Sequence, residues 1–574
     1  MIWRELSGNT VSETRTTSSC SGRCVKRSES LRAQFLILMI VLQCIPVSSE
    51  HDGVSILVSE SLASLIPTLP RVKEGNMRII LTSNTERLKN IISSYDVSFN
   101  ILPKDEYNDK LIEKLDPHKL AYALLYASES LEEISVRDIF ALINDTDKFE
   151  DKLSRGRDVS VLFYSSDGIE YSFLASYTAL LRNASLLDAE FNFDPSLLRN
   201  VSYVIVVTRP LTKDNYQRYT RLLEIMTKID DDPYIDTSFG FITGNYIETP
   251  FLMLLASELL QVPRELVGIS LVEDLPLARK VERISSLMGL PSKIYHPDLS
   301  YSNLTGDLAR SLLRGRSIIY LSLHGNPYVM ALKSDEYPVI TASTIRGSII
   351  PGSIIITLSC DTLKFEDLIN PEESVAYSFL DSGALAYIGS TKVEFSVGSE
   401  FGTSYPDLML MLLMSGESLG DAVRIVNNLR IRESRGKSGE GAANELLLGD
   451  PTLKLRPNNL PFEVREEEGV YRIRIMNETP TIFLRVPERG SPSIDSDKPS
   501  LYSNWFEDDE GTFIYITTLS TAYAGYFSPG DKIEVEIRES VDFMKLLPYI
   551  SILVIVLVTI SILLKLPRGS RYYL

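Results

Sequence analysis

Three nearly continuous apolar runs in the second half of the chain constrain its fold more than any other feature. They are Ser317–Leu323, Ser353–Leu358 and Ala384–Ile388. A strand that is apolar on both sides needs helices over both faces of its sheet, as happens in parallel sheets. Helical patterns separate the runs, and alternating strands and helices are typical of an open parallel sheet. We therefore expect residues 230–456 to form one α/β unit.

The same alternation precedes this unit, over residues 51–229. Strands are predicted there at Ser55–Val58, Met77–Leu81, Ala121–Tyr126, Val159–Phe163 and Tyr203–Val207. The helices predicted for residues 51–229 are Ser172–Arg182 and Asn215–Ile229. Those predicted for residues 230–456 are Glu248–Leu260, Ala278–Met288, Ser374–Asp381, Tyr405–Met414 and Asp421–Ile431. The two units together predict an α/β fold of three αβα layers, with mostly parallel sheets in two subdomains.

The pattern changes after Pro457, where short runs alternate apolar and polar residues. In Lys532–Glu539, for example, every second residue from Ile533 to Ile537 is apolar. Such alternation places the apolar side chains on one face of a strand. Similar runs lie at Val470–Ile475, Thr481–Val486 and Phe513–Thr518. We therefore expect a small β-sandwich over residues 457–542.

Two apolar segments near the ends of the chain indicate export. Leu36–Val47 follows basic residues and is too short to span a bilayer, which predicts a signal peptide with a long n-region at residues 1–50. A buried core helix is the alternative. Leu546–Leu564 is uncharged, long enough to span and followed by basic residues. We expect a transmembrane helix at 546–564, a cytoplasmic tail at 565–574, and the bulk of this single-pass cell-membrane protein outside.

Five N-x-S/T sequons, which are glycosylation acceptors in exported proteins, support export weakly: Asn144, Asn183, Asn200, Asn303 and Asn477.

Charge and cysteine usage exclude several classes of function. The net charge is −18, and nucleic-acid binding needs clustered Lys and Arg, so we expect no nucleic-acid partner. Cys20, Cys24 and Cys44 lie in or before the signal peptide, which leaves Cys360 as the single thiol of the mature chain. A lone thiol in an oxidising compartment is a liability unless it is buried or used. The histidines lack metal-ligand spacing and no nucleotide motif follows a strand, so no metal or cofactor is expected.

Two of the apolar runs end at residues that can perform chemistry. Ser317–Leu323 leads directly into His324-Gly325, and Ser353–Leu358 leads into Ser359-Cys360. Side chains at the carboxyl ends of neighbouring parallel strands face one crevice. An imidazolium beside a thiol lowers the thiol pKa, and the thiolate is the attacking species. This pattern favours Cys360 as a nucleophile and His324 as its acid/base partner.

The backbone N–H groups of Gly325 and Cys360 are the candidate oxyanion hole. The alternative for each residue taken singly is structural, because a lone cysteine after an apolar strand is usually a small buried side chain. The joint arrangement favours catalysis. Gly416–Gly420 matches the G-x-S-x-G pattern of serine hydrolases, but a helix and not a strand precedes it, which predicts an ordinary turn between helices.

These residues resemble a known family. SIIYLSLHGNP, SIIITLSC, GALAYIGST (Gly383–Thr391) and LLLGDPTLKL (Leu446–Leu455) are similar to the gingipain family of cysteine peptidases, in the caspase-like clan. The resemblance covers roughly Tyr234 to Leu455. It implies a caspase-like catalytic subdomain over residues 230–456, cysteine endopeptidase activity on polypeptide substrates, and an immunoglobulin-like character for the sandwich that follows.

The resemblance also raises the question of substrate recognition. Gingipains cleave after Arg or Lys with an acidic S1 pocket, and Glu394 and Glu400 are candidates for substrate binding by position. Solvated loop acids are the alternative interpretation of both. Asp236, Glu273 and Asp274 are unranked candidates for an acid that orients His324.

The sequence thus predicts a membrane-anchored, extracytoplasmic cysteine endopeptidase of gingipain type. The main alternative is a catalytically inactive caspase-like surface protein that acts as a binding or structural module. A transpeptidase that passes the acyl group to an amine shares the first chemical step and is a third hypothesis.

Overall fold

The computed structural model describes the following residues: 54–95, 97–191, 193–227, 229, 232–259, 263–270, 275–296, 306–313, 315, 317–332, 338–346, 348–393, 405–434, 444–498, 501–518, 526–538, 551–552 and 554–560. The signal peptide predicted at residues 1–50 and three of the four cysteines lie outside them. From Ser55 onward the chain belongs to one compact unit.

The strands are β1 Ser55–Ser59, β2 Met77–Leu81, β3 Phe99–Ile101, β4 Val159–Phe163, β5 Ser185–Asp188, β6 Tyr203–Val207, β7 Ser238–Ile242, β8 Glu265–Ser270, β9 Ser292–Tyr295, β10 Ser317–Ser322, β11 His324–Asn326, β12 Val329–Ala331, β13 Pro338–Thr341, β14 Ile354–Thr357, β15 Ala386–Ser390, β16 Glu445–Leu448, β17 Phe462–Glu467, β18 Val470–Ile475, β19 Thr481–Val486, β20 Ser491–Ser496, β21 Leu501–Asp508, β22 Gly511–Thr518 and β23 Ile533–Arg538.

The α-helices are α1 Leu62–Leu65, α2 Leu69–Lys73, α3 Thr85–Ile92, α4 Glu106–Ile112, α5 Pro117–Ser130, α6 Val136–Leu142, α7 Glu150–Leu153, α8 Ile169–Arg182, α9 Gln217–Met226, α10 Glu248–Leu259, α11 Leu275–Leu287, α12 Gly306–Leu312, α13 Ala342–Ile345, α14 Val375–Asp381, α15 Pro406–Ser415 and α16 Leu419–Glu433.

A ten-stranded sheet in the order β5-β4-β6-β7-β16-β15-β14-β10-β8-β9 organises the described part of the chain. The strands from β5 to β16 are parallel to one another. Those from β15 to β9 are also parallel. The two halves meet where β16 pairs antiparallel with β15. The predicted α/β fold with parallel sheets is confirmed, and the structure joins the sheets of its two halves into one.

The apolar runs form the most enclosed strands, as their composition requires. Every residue of β10 and of β14 is buried, because helices cover both faces of a parallel sheet. Helix α14 begins where the Ser374 side chain accepts a hydrogen bond from the Tyr377 N–H. Helix α15 ends at Gly416, whose φ of 94° is open to glycine. Ser418 caps α16, so the segment Gly416–Gly420 contains the turn between the two helices, as expected.

One predicted strand is wrong. Ala121–Tyr126 lies inside α5, which runs from Pro117 to Ser130 and is capped by Asp116. The helix is buried on nearly every side, so its apolar residues show no helical stripe. A short continuous apolar run cannot be assigned to helix or strand by periodicity alone.

Two antiparallel sheets follow the α/β region. One has the order β17-β18-β23-β20 and the other β19-β22-β21. Phe462 of the first sheet contacts Phe483 of the second, with ring centroids 5.9 Å apart. The boundaries given above for the domains and the immunoglobulin-like character stay predictions.

A buried polar network docks the second of these sheets onto the α/β region. Lys280 of α11 donates to Thr517 Oγ1 at 2.8 Å. Asp407 of α15 accepts from Thr481 Oγ1 at 2.6 Å and from the Tyr515 hydroxyl at 3.1 Å. Because burial lowers the pKa of Lys280, its hydrogen bonds compensate only part of the cost of enclosing an ammonium group.

The predicted fold class is wrong in its transmembrane helix. Within Leu546–Leu564 the structure describes residues 551–552 and 554–560, which are helical and solvent-exposed. A spanning helix needs about 20 apolar residues. In the described part of the chain, no helix combines enough length with enough apolar character to cross a membrane.

Candidate active site

The structure brings His324 and Cys360 to the same end of the same sheet. Strands β10 and β14 are parallel neighbours, in which Ile318 faces Ile354 and Leu321 faces Thr357. The same step along the sequence leads from His324 to Cys360. The register therefore places the two residues side by side just beyond the carboxyl ends of their strands. Both are half-buried.

A close approach between backbones continues this pairing past the strands. The Leu323 N–H donates to Ser359 Oγ at 3.2 Å. A Cβ atom added at Gly325 would lie 2.9 Å from the Cys360 carbonyl oxygen and 3.0 Å from Ser359 Cβ. Only glycine allows this approach without displacement of one partner. The candidate oxyanion-hole residues, Gly325 and Cys360, are thus in direct contact.

The chain turns sharply after the thiol. Asp361 has a φ of 55°, a left-handed conformation that Asp tolerates better than most residues. Its N–H donates to the Lys392 carbonyl at 2.9 Å, and the Leu363 N–H donates to the Ser390 carbonyl at 2.9 Å. These bonds tie the turn to the end of β15. Strained backbone of this kind persists where the surroundings hold it in place, and such places cluster at active sites.

His324 begins a short antiparallel hairpin formed by β11 and β12. The Asn326 side chain closes its turn by accepting from the N–H groups of Tyr328 at 2.9 Å and Val329 at 3.1 Å. The Pro327 carbonyl accepts from the Val375 N–H at 2.9 Å, which fastens the hairpin to the start of α14. The imidazole therefore stands on a braced element and not on a long loop.

Of the other predicted site residues, the structure describes only Asp236. Glu394 and Glu400, the candidates for substrate binding, lie outside the described residues, as do Glu273 and Asp274. Asp236 precedes β7, and three strands separate β7 from β10. At about 4.8 Å per strand spacing, β7 is about 19 Å from β10, so Asp236 is too distant to orient His324. Among the described residues, no group of three or more His, Cys, Asp or Glu side chains is arranged to hold a metal ion.

The structure gives the Gly449-Asp450-Pro451 motif a role that its sequence did not reveal. The Asp450 side chain is 1% exposed, and its Oδ2 accepts two bonds from Arg182, at 2.6 and 3.0 Å. Burial alone would raise the pKa of Asp450, but the Arg182 charge and the hydrogen bonds outweigh burial and lower it. Because Arg182 ends α8, this buried ion pair fastens the first half of the sheet to the segment that follows β16.

A second buried carboxyl group joins the two halves. Asp381, at the end of α14, accepts from Asn245 Nδ2 at 2.6 Å and from Thr249 Oγ1 at 2.7 Å. Burial raises the pKa of Asp381 to about 6, although these bonds and the charge of Arg87 oppose the rise. Within the described residues, the buried Asn245 Oδ1 has no hydrogen-bond partner. An amide at position 381 offers it a donor.

A buried histidine lies away from the catalytic edge. His118 Nδ1 is 3.0 Å from Asp188 Oδ2, and Nε2 is 3.4 Å from Glu150. Burial alone would lower the pKa of His118, but the Asp188 hydrogen bond and the two carboxylate charges raise it. Sequence reasoning dismissed this histidine because its acidic partners are distant along the chain.

Comparison with known proteins identifies one family. Residues 281–456 match the family described as Peptidase family C25, and this segment includes His324 and Cys360. No curated protein matches the chain. A solved structure titled "Structure of Protease" is 13% identical, with 85% of this chain and 97% of that chain covered and a TM-score of 0.35. The "Complex of Porphyromonas gingivalis RgpB pro- and mature domains" is 11% identical, with 67% and 94% covered and a TM-score of 0.37.

Proposed function

Residues 281–456 belong to peptidase family C25, the gingipain family of cysteine peptidases, and from this membership we propose that Cys360 and His324 cleave peptide bonds. The predicted family and enzyme class are confirmed by the match, and the family implies polypeptide substrates. The observation that supports the residue assignment is the register of β10 with β14, whose carboxyl ends lead into His324 and Cys360 at the same end of the sheet.

Acylation begins with the Cys360 thiolate, which the adjacent imidazolium of His324 stabilises. The sulfur attacks the carbonyl carbon of the scissile bond and forms a tetrahedral oxyanion. The N–H groups of Gly325 and Cys360 are the proposed donors to this oxyanion. The intermediate collapses, the C–N bond breaks, and the imidazolium gives its proton to the departing amine. The products of this step are a thioester and a free amine.

Deacylation reverses the proton movements. The neutral imidazole of His324 takes a proton from water as the water oxygen attacks the thioester carbonyl. The C–S bond then breaks, the acid product leaves, and the thiolate–imidazolium pair is restored. A transpeptidase would differ only in replacing this water by an amine.

The first half of the sheet supports the site as part of the catalytic body. Strand β7 pairs with β16, which in turn pairs with β15, so residues 159–242 extend the catalytic sheet. Tyr95, which precedes these residues, lies near the amino ends of the catalytic strands, where its hydroxyl donates to the Gly383 carbonyl at 3.1 Å. We infer that these segments support the sheet.

The test is cleavage of a mixed peptide library by the full chain under reducing conditions, beside Cys360→Ala and His324→Ala. We expect fragments from the wild type alone, with the P1 preference read from the new carboxyl termini by mass spectrometry. Both variants remove a half-buried side chain, so circular dichroism and thermal unfolding should match the wild type.

Three outcomes bear on the proposal. Equal cleavage by Cys360→Ala would refute the assignment of the nucleophile. Transfer of the acyl group to an added amine, with little hydrolysis, would identify a transpeptidase. An inert wild type whose Cys360 resists alkylation would favour the non-catalytic binding module.

We further propose that the chain acts outside the cytoplasm. The asparagines of four N-x-S/T sequons are exposed in the described residues: Asn144, Asn183, Asn200 and Asn477. Exposure is what a glycosylation acceptor requires. Mass spectrometry of peptides from the native host is the measurement, and unmodified asparagines at all four positions would remove this support.

A further inference from the structure

The Tyr328 side chain links the two segments that carry the catalytic pair. Tyr328 lies at the turn of the hairpin that begins with His324. Its hydroxyl donates to the Asp367 carbonyl at 2.7 Å and accepts from the Ile369 N–H at 3.0 Å. Asp367 and Ile369 belong to the loop that follows Cys360. One hydroxyl group thus joins the histidine hairpin to the cysteine loop by two hydrogen bonds.

The loop is held at its other points by the sheet. Near the thiol, backbone bonds fasten it to the end of β15. Between the two residues bound by Tyr328, the buried Leu368 offers its carbonyl to the Lys213 N–H at 2.8 Å. Leu368 is therefore anchored to the first half of the sheet, while its neighbours are anchored to the hairpin. Of these contacts of the loop, the two hydrogen bonds of the Tyr328 hydroxyl are those that connect it through a side chain to the hairpin that carries His324.

We propose that Tyr328 is a positioning residue for the catalytic pair, which sets the distance between the His324 imidazole and the Cys360 thiol without touching the substrate bond. This inference rests on the proposed function. Its physical basis is that both catalytic residues stand beyond the ends of their strands, so sheet hydrogen bonds alone do not fix their side chains. Small displacements of reacting groups have large effects, since about 1 Å can cost about 100-fold in rate.

The experiment compares Tyr328→Phe with the wild type in the full chain. Phenylalanine keeps the ring and removes only the hydroxyl. We expect kcat to fall about tenfold or more with little change in KM. We also expect the rate of iodoacetamide labelling of Cys360 to rise at higher pH than in the wild type, because a displaced imidazolium stabilises the thiolate less. Hydrogen exchange of the peptide around Ile369 should quicken, since its amide loses its acceptor.

Tyr95→Phe is the matched control. It also removes a hydroxyl that donates to a backbone carbonyl, but at the amino ends of the catalytic strands. This variant should keep the labelling profile and kcat of the wild type. Faster exchange around Ile369 with an unchanged labelling profile and kcat would overturn the proposal, as would equal changes in both variants.

The labelling profile separates this proposal from the assignment of function. It needs a reactive thiol but no substrate, so it reports on positioning even where turnover is too slow to measure. Cleavage by Cys360→Ala would refute the proposed nucleophile whatever Tyr328→Phe does. A normal profile in Tyr328→Phe beside an active wild type would refute the positioning role alone.

Discussion

Gly325→Ala tests the close approach on which the proposed oxyanion hole depends. The added methyl carbon would lie 2.9 Å from the Cys360 carbonyl oxygen, where ordinary contacts begin at 3.4 Å. The two backbones must therefore separate by about 0.5 Å. With a loss of about 100-fold in rate for 1 Å, half that displacement predicts about a tenfold loss in kcat. Overpacking of this kind costs roughly 1–3 kcal/mol in stability.

The assay is kcat and KM on a cleaved library peptide, together with thermal unfolding. Gly268→Ala in β8 is the control, because its methyl would meet Ile294 side-chain atoms at 3.0 Å in the neighbouring strand β9. That variant should lose stability to a similar degree and keep its kcat. Full activity of Gly325→Ala would refute the argument, since it would mean that the Cys360 backbone can move without consequence for the chemistry.

Three further predictions concern the buried charges. The pKa of His118 is raised in the folded protein. Its contribution to stability is therefore complete below the ordinary pKa of about 6.5 and is lost as pH rises through the folded pKa. In His118→Gln, the midpoint temperature of thermal unfolding should depend less on pH between pH 6 and 8. The folded pKa of Asp381, about 6, also lies above its ordinary value, so its ionised form destabilises the folded protein at higher pH. Asp381→Asn should therefore raise the free energy of unfolding at pH 7.5 by about 1–2 kcal/mol, measured in urea. Asp450→Ala leaves the buried Arg182 with Glu258 as its remaining carboxylate partner, at 2.8 Å, and should cost about 3 kcal/mol, the lower end of the cost of breaking a buried ion pair; a loss under 1 kcal/mol would contradict a stabilising role for the Asp450 bonds.

The catalytic strands could be predicted from the sequence because their residues leave few alternatives. The run of β10 is nearly continuously apolar and rich in branched side chains, so it suits the middle of a sheet covered on both faces. The polar residue that ends such a run marks the edge of the sheet. The two runs and the residues that end them predict that His324 and Cys360 lie at the edge of the sheet. The sequence does not show that their strands are neighbours, so this had to be assumed.

Features that depend on long-range pairing could not be predicted in this way. The helix around Ala121 was mistaken for a strand because enclosure on all sides erased its periodicity. The ion pair between Asp450 and Arg182 joins residues far apart in the chain, so no local sequence pattern predicts it. The transmembrane helix was predicted from length and hydropathy alone, which describe a segment's composition but not the structure it adopts.

Position at the end of a strand is not by itself enough to identify a catalytic residue. The first half of the sheet has the same kind of edge, where Asp188 ends β5 and Asp167 follows β4. Asp167 is fully enclosed, and both of its carboxylate oxygens accept from Arg218 at 2.7 Å. Asp188 is likewise buried against a histidine. Groups neutralised in this way stabilise the fold and are closed to a substrate, whereas His324 and Cys360 keep part of their surface in solvent. Of the two parallel half-sheets, the second is therefore the one whose carboxyl edge is open to chemistry.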